Sequence, residues 1–201
     1  MSRVHKLSNS EKAAHAPRIV GGKLRGQSLE FTPSSRTRPM KDRVRETLFD
    51  LVGPKVKQTV AIDLFAGTGA LGFEALSRGA SQAIFAERHF PTADAIVRSA
   101  RRLGVEDVTT VLPGNVLLWS RRMPTLPEST PWLVFVSPPW SFFSERIQEL
   151  MALVDALAAK APSESMFVVE SSDDFDPTHL PGKGWDSRTI TPAILYRKQF
   201  S

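Results

Sequence analysis

Two short stretches combine residue types that could bring a methyl donor and an exocyclic amine together: Asp63-Leu64-Phe65-Ala66-Gly67-Thr68-Gly69-Ala70-Leu71-Gly72 and Ser137-Pro138-Pro139-Trp140. In the first, Gly67, Gly69 and Gly72 satisfy GxGxxG, and Glu87 follows Gly67 by about 20 residues, where a ribose-binding carboxylate belongs. The glycines would let the main chain press against an adenosyl-type ligand, with Phe65 beside it and Glu87 accepting from the ribose hydroxyls. The same spacing would serve a nicotinamide dinucleotide, or simply the tight packing of a strand on a helix. Asp63 would hold the loop or the donor's ammonium group, or else cap the next turn. Asn115, in Pro113-Gly114-Asn115, offers an adenine amine both an acceptor and donors, and Asn after Gly is equally a common helix N-cap.

The second stretch fits the other half of the reaction. An exocyclic amine conjugated to its ring is a poor nucleophile until its lone pair is localised, which takes an acceptor for each N–H. The Ser137 hydroxyl and the Pro138 carbonyl can be those acceptors. Pro138 and Pro139 stiffen the backbone, and Trp140 offers a flat face on which a base can stack. The plain alternative is a proline-rich loop over the sheet edge with Trp140 as filler.

These groups need a scaffold, and the pattern along the chain supplies one. Apolar strand-like runs at Val60–Phe65, Ala83–Ala86, Val108–Leu112, Leu133–Val136 and Met166–Val169 alternate with helical stretches after Gly69, Phe90, Asn115 and Phe143. That alternation predicts a parallel sheet with helices on both faces. Thr189-Ile190 and Ala193–Tyr196 read as two closing strands, antiparallel to their neighbours. Upstream, Val44, Leu48, Leu51 and Val52 repeat at helical spacing over residues 42–52, with Gly53-Pro54 as the stop. Residues 18–31 read as a β-hairpin around Gly21-Gly22, and residues 1–17 as a flexible basic tail.

Composition narrows the setting. The chain has 201 residues, 41% hydrophobic and 23% charged, enough for one globular domain over residues 18–201. No cysteine is present, which excludes disulfides and thiolate metal sites, and His5, His15, His89 and His179 show no ligand spacing, so no metal is expected. No apolar run is long enough to span a bilayer, and a cytoplasmic protein without membrane association is expected. The net charge of +5 favours a polyanionic partner. Arg18, Lys23, Arg25, Arg36, Arg38, Lys41, Arg43 and Arg45 concentrate basic charge before the first strand, as phosphate contacts would require, although solvated surface would look the same. Arg98, Arg101 and Arg102 form a second group, expected to be only solvated.

Taken together, these residues resemble the bacterial 16S rRNA guanine-N2 methyltransferases of the small ribosomal subunit. The likeness runs from Arg18 to Phe200. It rests on Arg18-Ile19-Val20-Gly21-Gly22-Lys23-Leu24-Arg25-Gly26 and on Arg38-Pro39-Met40-Lys41-Asp42-Arg43-Val44-Arg45-Glu46-Thr47-Leu48-Phe49. The donor motif continued through Glu74-Ala75-Leu76-Ser77-Arg78-Gly79, the Val169-Glu170 strand end and Leu195-Tyr196 complete it. The resemblance implies an α/β, Rossmann-like class I methyltransferase fold: a mostly parallel seven-stranded sheet with an antiparallel closing strand and a small N-terminal hairpin extension. It implies S-adenosylmethionine as donor, with Asp63, Phe65, Gly67, Gly69, Glu87 and Asn115 around it. Ser137, Pro138, Pro139 and Trp140 would be catalytic, and Arg18, Lys23, Arg25, Arg38, Arg43 and Arg45 would bind RNA. The substrate would be 16S rRNA or the assembled 30S subunit, modified by a monomer. Two departures stand out: Ser137 occupies the place where the family usually has Asp, and His89 the place of a common acidic residue. Rival readings are an amino methyltransferase acting on adenine N6 or cytosine N4 of DNA, a catalytically impaired RNA-binding homologue, and a nicotinamide-dependent oxidoreductase.

Overall fold

Strands that alternate their side chains between two faces need a cover on each. In the computed structural model, which describes residues 16–31 and 40–200, one seven-stranded sheet meets that need. Its strands are β1 (Val60–Asp63), β2 (Gln82–Glu87), β3 (Thr109–Pro113), β4 (Trp132–Val136), β5 (Met166–Ser172), β6 (Asp186–Ile190) and β7 (Ala193–Gln199). They lie in the order β3-β2-β1-β4-β5-β7-β6. All pairings are parallel except those of β7 with β5 and with β6, so β7 alone is reversed.

Phe85, Leu133, Phe135 and Val168 point to one face, where α1 (Asp42–Val52), α2 (Ala70–Ser77) and α3 (Phe90–Leu103) cover them with Leu48, Phe49, Phe73 and Ile96. Ile62, Ile84, Val134, Phe167 and Val169 point to the other, under α5 (Ile147–Ala158) and a short 3₁₀ turn at Val116–Ser120. A one-turn helix, α4 (Phe142–Glu145), precedes α5. The helix expected after Asn115 is therefore only that 3₁₀ turn. The first strand also ends at Asp63 rather than Phe65, because the chain turns off the sheet there to enter the glycine loop.

The expected hairpin at residues 18–31 has its antiparallel return but only a single bridge, Arg18 with Ser28. Ile19 N–H donates to the Gln27 carbonyl and Gly26 N–H to the Ile19 carbonyl across the return, but other amides of the segment are used elsewhere. Val20 N–H donates to Glu74 at 2.8 Å, and Lys23 and Leu24 N–H donate to the Ser77 carbonyl and hydroxyl, each at 2.8 Å. Gly22 has φ +73°, and a Cβ there would lie 2.0 Å from the Ser77 carbonyl oxygen, so the segment lies flat against the end of α2. Residues 1–15 of the expected tail, together with Arg36 and Arg38, lie outside the described residues.

Candidate active site

The strand order reverses between β1 and β4, and open α/β sheets bind ligands at the carboxyl ends of the strands flanking such a point. A cavity of about 610 Å³ opens there. Its wall carries Asp63 from the end of β1, Phe65 and Gly67 from the loop, Glu87 from the end of β2, Asn115 beyond β3 and Ser137–Trp140 beyond β4. Side chains separated by up to 77 positions in sequence are thus gathered at one edge, as the two motifs required.

The glycine loop is built tightly. Gly67 and Gly69 have φ +51° and +75°, in the left-handed region that glycine tolerates best. Gly69 and Gly72 serve packing: a Cβ would lie 2.9 Å from the Phe73 ring at Gly69 and 2.3 Å from the Phe85 ring at Gly72, whose bare backbone lets α2 sit on β2, and of the three glycines Gly67 alone lies in the cavity wall. Both Glu87 carboxylate oxygens accept main-chain bonds, from Gly67 N–H and from His89 N–H, each at 2.8 Å. Glu87 therefore fastens the loop to β2.

Asp63 is 1% exposed. One oxygen accepts weakly from Gly72 N–H at 3.3 Å, and the other, Oδ1, is buried with no partner among the described residues. Burial, only partly opposed by the Gly72 amide and reinforced by the charge of Glu87, raises its pKa from 3.8 to about 7. Asp63 thus lies in the cavity wall and carries an unsatisfied buried acceptor. Asn115 caps the turn after β3, its side chain accepting from Leu117 N–H at 3.2 Å.

Across the cavity, Pro139 and Trp140 carbonyls accept from Phe142 and Phe143 N–H at 2.9 and 3.0 Å, which folds the loop into α4. Among the described residues no hydrogen bond reaches the Pro138 carbonyl. Trp140 is 37% exposed at the cavity mouth. Phe65 packs edge-on against Phe142, with ring centroids 6.0 Å apart. The Ser137 hydroxyl donates to the carboxylate of Glu170, which ends the apolar run of β5 and also lines the cavity. Burial raises the Glu170 pKa, and the Ser137 hydrogen bond opposes the rise. Glu170 is not among the residues that the sequence assigns to the site. A charged residue closing the apolar run Met166–Val169 at the carboxyl end of a central strand is the signal available for it.

The described basic residues fall in different places. Arg18 and Arg43 are exposed near Met40 and Lys41, which line the cavity, and Arg18 pairs with Asp42 at 3.1 Å. Lys23 and Arg25 are exposed at the far end of α2, about 12 Å of helix away. Arg45 must be reassigned from RNA contact to the interior. Its side chain is 1% exposed, donates to the Arg18 carbonyl at 2.6 Å and to Asp42 at 2.9 Å, and lies 3.7 Å from the fully buried Glu74. A guanidinium held there cannot reach a phosphate. Arg88, exposed on the cavity wall and 6.0 Å from the Phe142 ring, joins the site unforeseen.

No described helix is long and apolar enough to cross a membrane, and no group of three or more metal-ligating side chains occurs among the described residues.

A family profile described as conserved hypothetical protein 95 matches residues 17–185. The chain is 39% identical over 183 residues to ribosomal RNA small subunit methyltransferase D of Escherichia coli (strain K12), across 90% of this chain and 87% of that protein. Among solved structures, the yhhF protein of Escherichia coli superposes with a TM-score of 0.73 at 28% identity, over 91% of this chain and 97% of that one. An RNA methyltransferase from Salinibacter ruber, solved in complex with S-adenosyl-L-homocysteine, superposes with a TM-score of 0.60 at 17% identity, over 81% of this chain and 94% of that one. That last likeness is one of fold.

Proposed function

The chain belongs to the family described as conserved hypothetical protein 95, that of the bacterial small-subunit rRNA methyltransferases it matches, and from this premise we propose that it methylates the N2 amine of a guanine in 16S rRNA, with S-adenosylmethionine as donor. The observation that carries the reading is the meeting of the two motifs at one cavity: an unsatisfied Asp63 carboxyl on one wall and a Ser-Pro-Pro-Trp loop on the other.

The residues present fit the donor. The buried Asp63 Oδ1 is an acceptor awaiting a cationic donor group such as an α-ammonium. Gly67 in the cavity wall lets the main chain approach the ligand, Glu87 holds the glycine turn in place and accepts from ribose hydroxyls, and the Asn115 amide faces the adenine edge. A cavity of about 610 Å³ suits a ligand of that size. When bound, S-adenosylmethionine supplies a methyl carbon made electrophilic by its sulfonium.

The chain supplies placement and polarity. A guanine out of its stack lies on Trp140, with Phe65 and Phe142 forming the apolar wall beside it. The Ser137 oxygen and the Pro138 carbonyl accept the two N–H groups of the amine, which localises its lone pair. The assembled 30S particle or its rRNA approaches along the exposed basic residues near the mouth.

The test is transfer of labelled methyl to 30S particles, naked 16S rRNA and duplex DNA in parallel, followed by digestion to nucleosides. Label recovered as N2-methylguanosine from the ribosomal substrates is expected. Label in DNA, or none in any arm, would overturn the reading.

A further inference from the structure

Serine is an ambiguous partner for a nucleophilic amine. Its hydroxyl can accept from an N–H, which frees the nitrogen lone pair, or donate to the nitrogen, which ties that lone pair up. The site contains a group that removes the ambiguity. Ser137 directly follows β4, Glu170 lies on the adjacent strand β5, and the parallel pairing of Val136 with Val169 brings these next two residues side by side. The Ser137 hydroxyl donates to the Glu170 carboxylate, and both residues line the cavity.

Resting on the amine-methylating reading above, we propose that Glu170 is the positioning and proton-accepting residue of the reaction, acting through Ser137. With its proton committed to Glu170, Ser137 presents only lone pairs to the substrate amine. The nitrogen forms its bond to the methyl carbon as the sulfur–carbon bond breaks, and that electron pair stays on sulfur. The positive charge then sits on nitrogen, which releases a proton to the Ser137 oxygen as the hydroxyl proton passes to Glu170. Glu170 ends the step neutral and returns its proton to solvent at the cavity mouth.

The surroundings suit this work. Glu170 is largely buried, and burial lifts its carboxyl above the ordinary carboxylate range, making it a better proton acceptor than an exposed glutamate. The other ionisable groups on the cavity wall are Lys41 before α1, Asp63 at the end of β1, and Glu87, Arg88 and His89 at and just beyond the end of β2. Lys41 and Arg88 are exposed, and Glu87 is held by two main-chain amides. Among these carboxylates, Glu170 is the one joined to Ser137 by a hydrogen bond.

Glu170→Gln keeps the shape and an acceptor for the hydroxyl but removes the charge. It should lower kcat roughly 100-fold, with the KM for 30S particles and the Kd for S-adenosylmethionine within about twofold of wild type. The wild-type kcat should fall at low pH along a limb that Glu170→Gln lacks. Ser137→Asp placed on Glu170→Gln brings a carboxylate directly to the amine and should recover about tenfold or more of the lost kcat. In the ligand-free protein, carboxyl NMR should show the Glu170 titration moving to higher pH in Ser137→Ala, because the hydroxyl no longer stabilises the charged form. An unchanged kcat and pH limb in Glu170→Gln would overturn the inference, as would an unmoved Glu170 titration. Absence of transfer by the wild-type chain would instead overturn the reading on which it rests.

Discussion

Asp63 holds a carboxyl where the ligand-free protein gives it one weak partner, and the cost depends on pH. Its pKa is about 7 in the fold against an ordinary 3.8, so between those values the folded chain keeps a proton that the unfolded chain has lost. By linkage, the destabilisation from Asp63 grows as pH rises from about 4 and levels off above about 7, reaching on the order of a few kcal/mol. Asp63→Asn keeps an acceptor for Gly72 N–H and removes the charge. Urea denaturation at pH 8 should find this variant more stable than wild type by a few kcal/mol, with the pH dependence across that window flattened, while S-adenosylmethionine affinity falls more than tenfold. Equal stability at pH 8 would show that the unpaired oxygen is not costly. Asp63 is legible in the sequence because its place before GxGxxG is local. Glu170 shows in the sequence only as a charge closing an apolar run, because its meaning comes from Ser137, 33 positions earlier and across a strand pair that only the folded sheet defines.

At the scale of elements, the parallel strands are readable because each is an apolar run of strand length bounded by turn residues, and Gly72 is readable because its spacing is that of a helix packed on a strand. The segment at residues 18–31 is not. Its glycines suggest a self-paired hairpin, whereas the amides of Val20, Lys23 and Leu24 go to Glu74 and Ser77 of α2, more than 50 positions away. Arg45 misleads for the same reason. In sequence it is one of a basic run, and in the fold it faces inward with Val44 and Leu48 and lies by Glu74. Glu74 also takes the Arg78 guanidinium at 2.8 Å, so this carboxylate ties α1, α2 and the N-terminal segment into one unit. Arg45→Met removes one cation from that buried group and should cost about 3 kcal/mol by chemical denaturation. Its salt dependence of RNA binding should match wild type. A stable Arg45→Met protein with a shallower salt slope would return Arg45 to the RNA surface.

At the scale of the whole molecule, the net charge of +5 does not say which face meets a polyanion, and the fold separates the candidates. Lys41, Arg43 and Arg88 are exposed on or beside the cavity wall. Arg98 and Arg101 are carried on α3, and their neighbour Arg102 is engaged by Glu30 at 3.0 Å and by the Ser28 carbonyl. A base that reaches Trp140 brings its own phosphates to the mouth, so the first group should carry the electrostatic share of RNA binding. Each phosphate neutralised contributes about 0.7 to 0.9 to the slope of log affinity against log salt. Replacing Lys41, Arg43 and Arg88 together by Gln should therefore lower the magnitude of that slope by about 2, measured by titration of 30S particles or 16S rRNA over a range of salt. The pair Arg98→Gln and Arg101→Gln should leave it unchanged. If the two sets exchanged these outcomes, the RNA would run over α3.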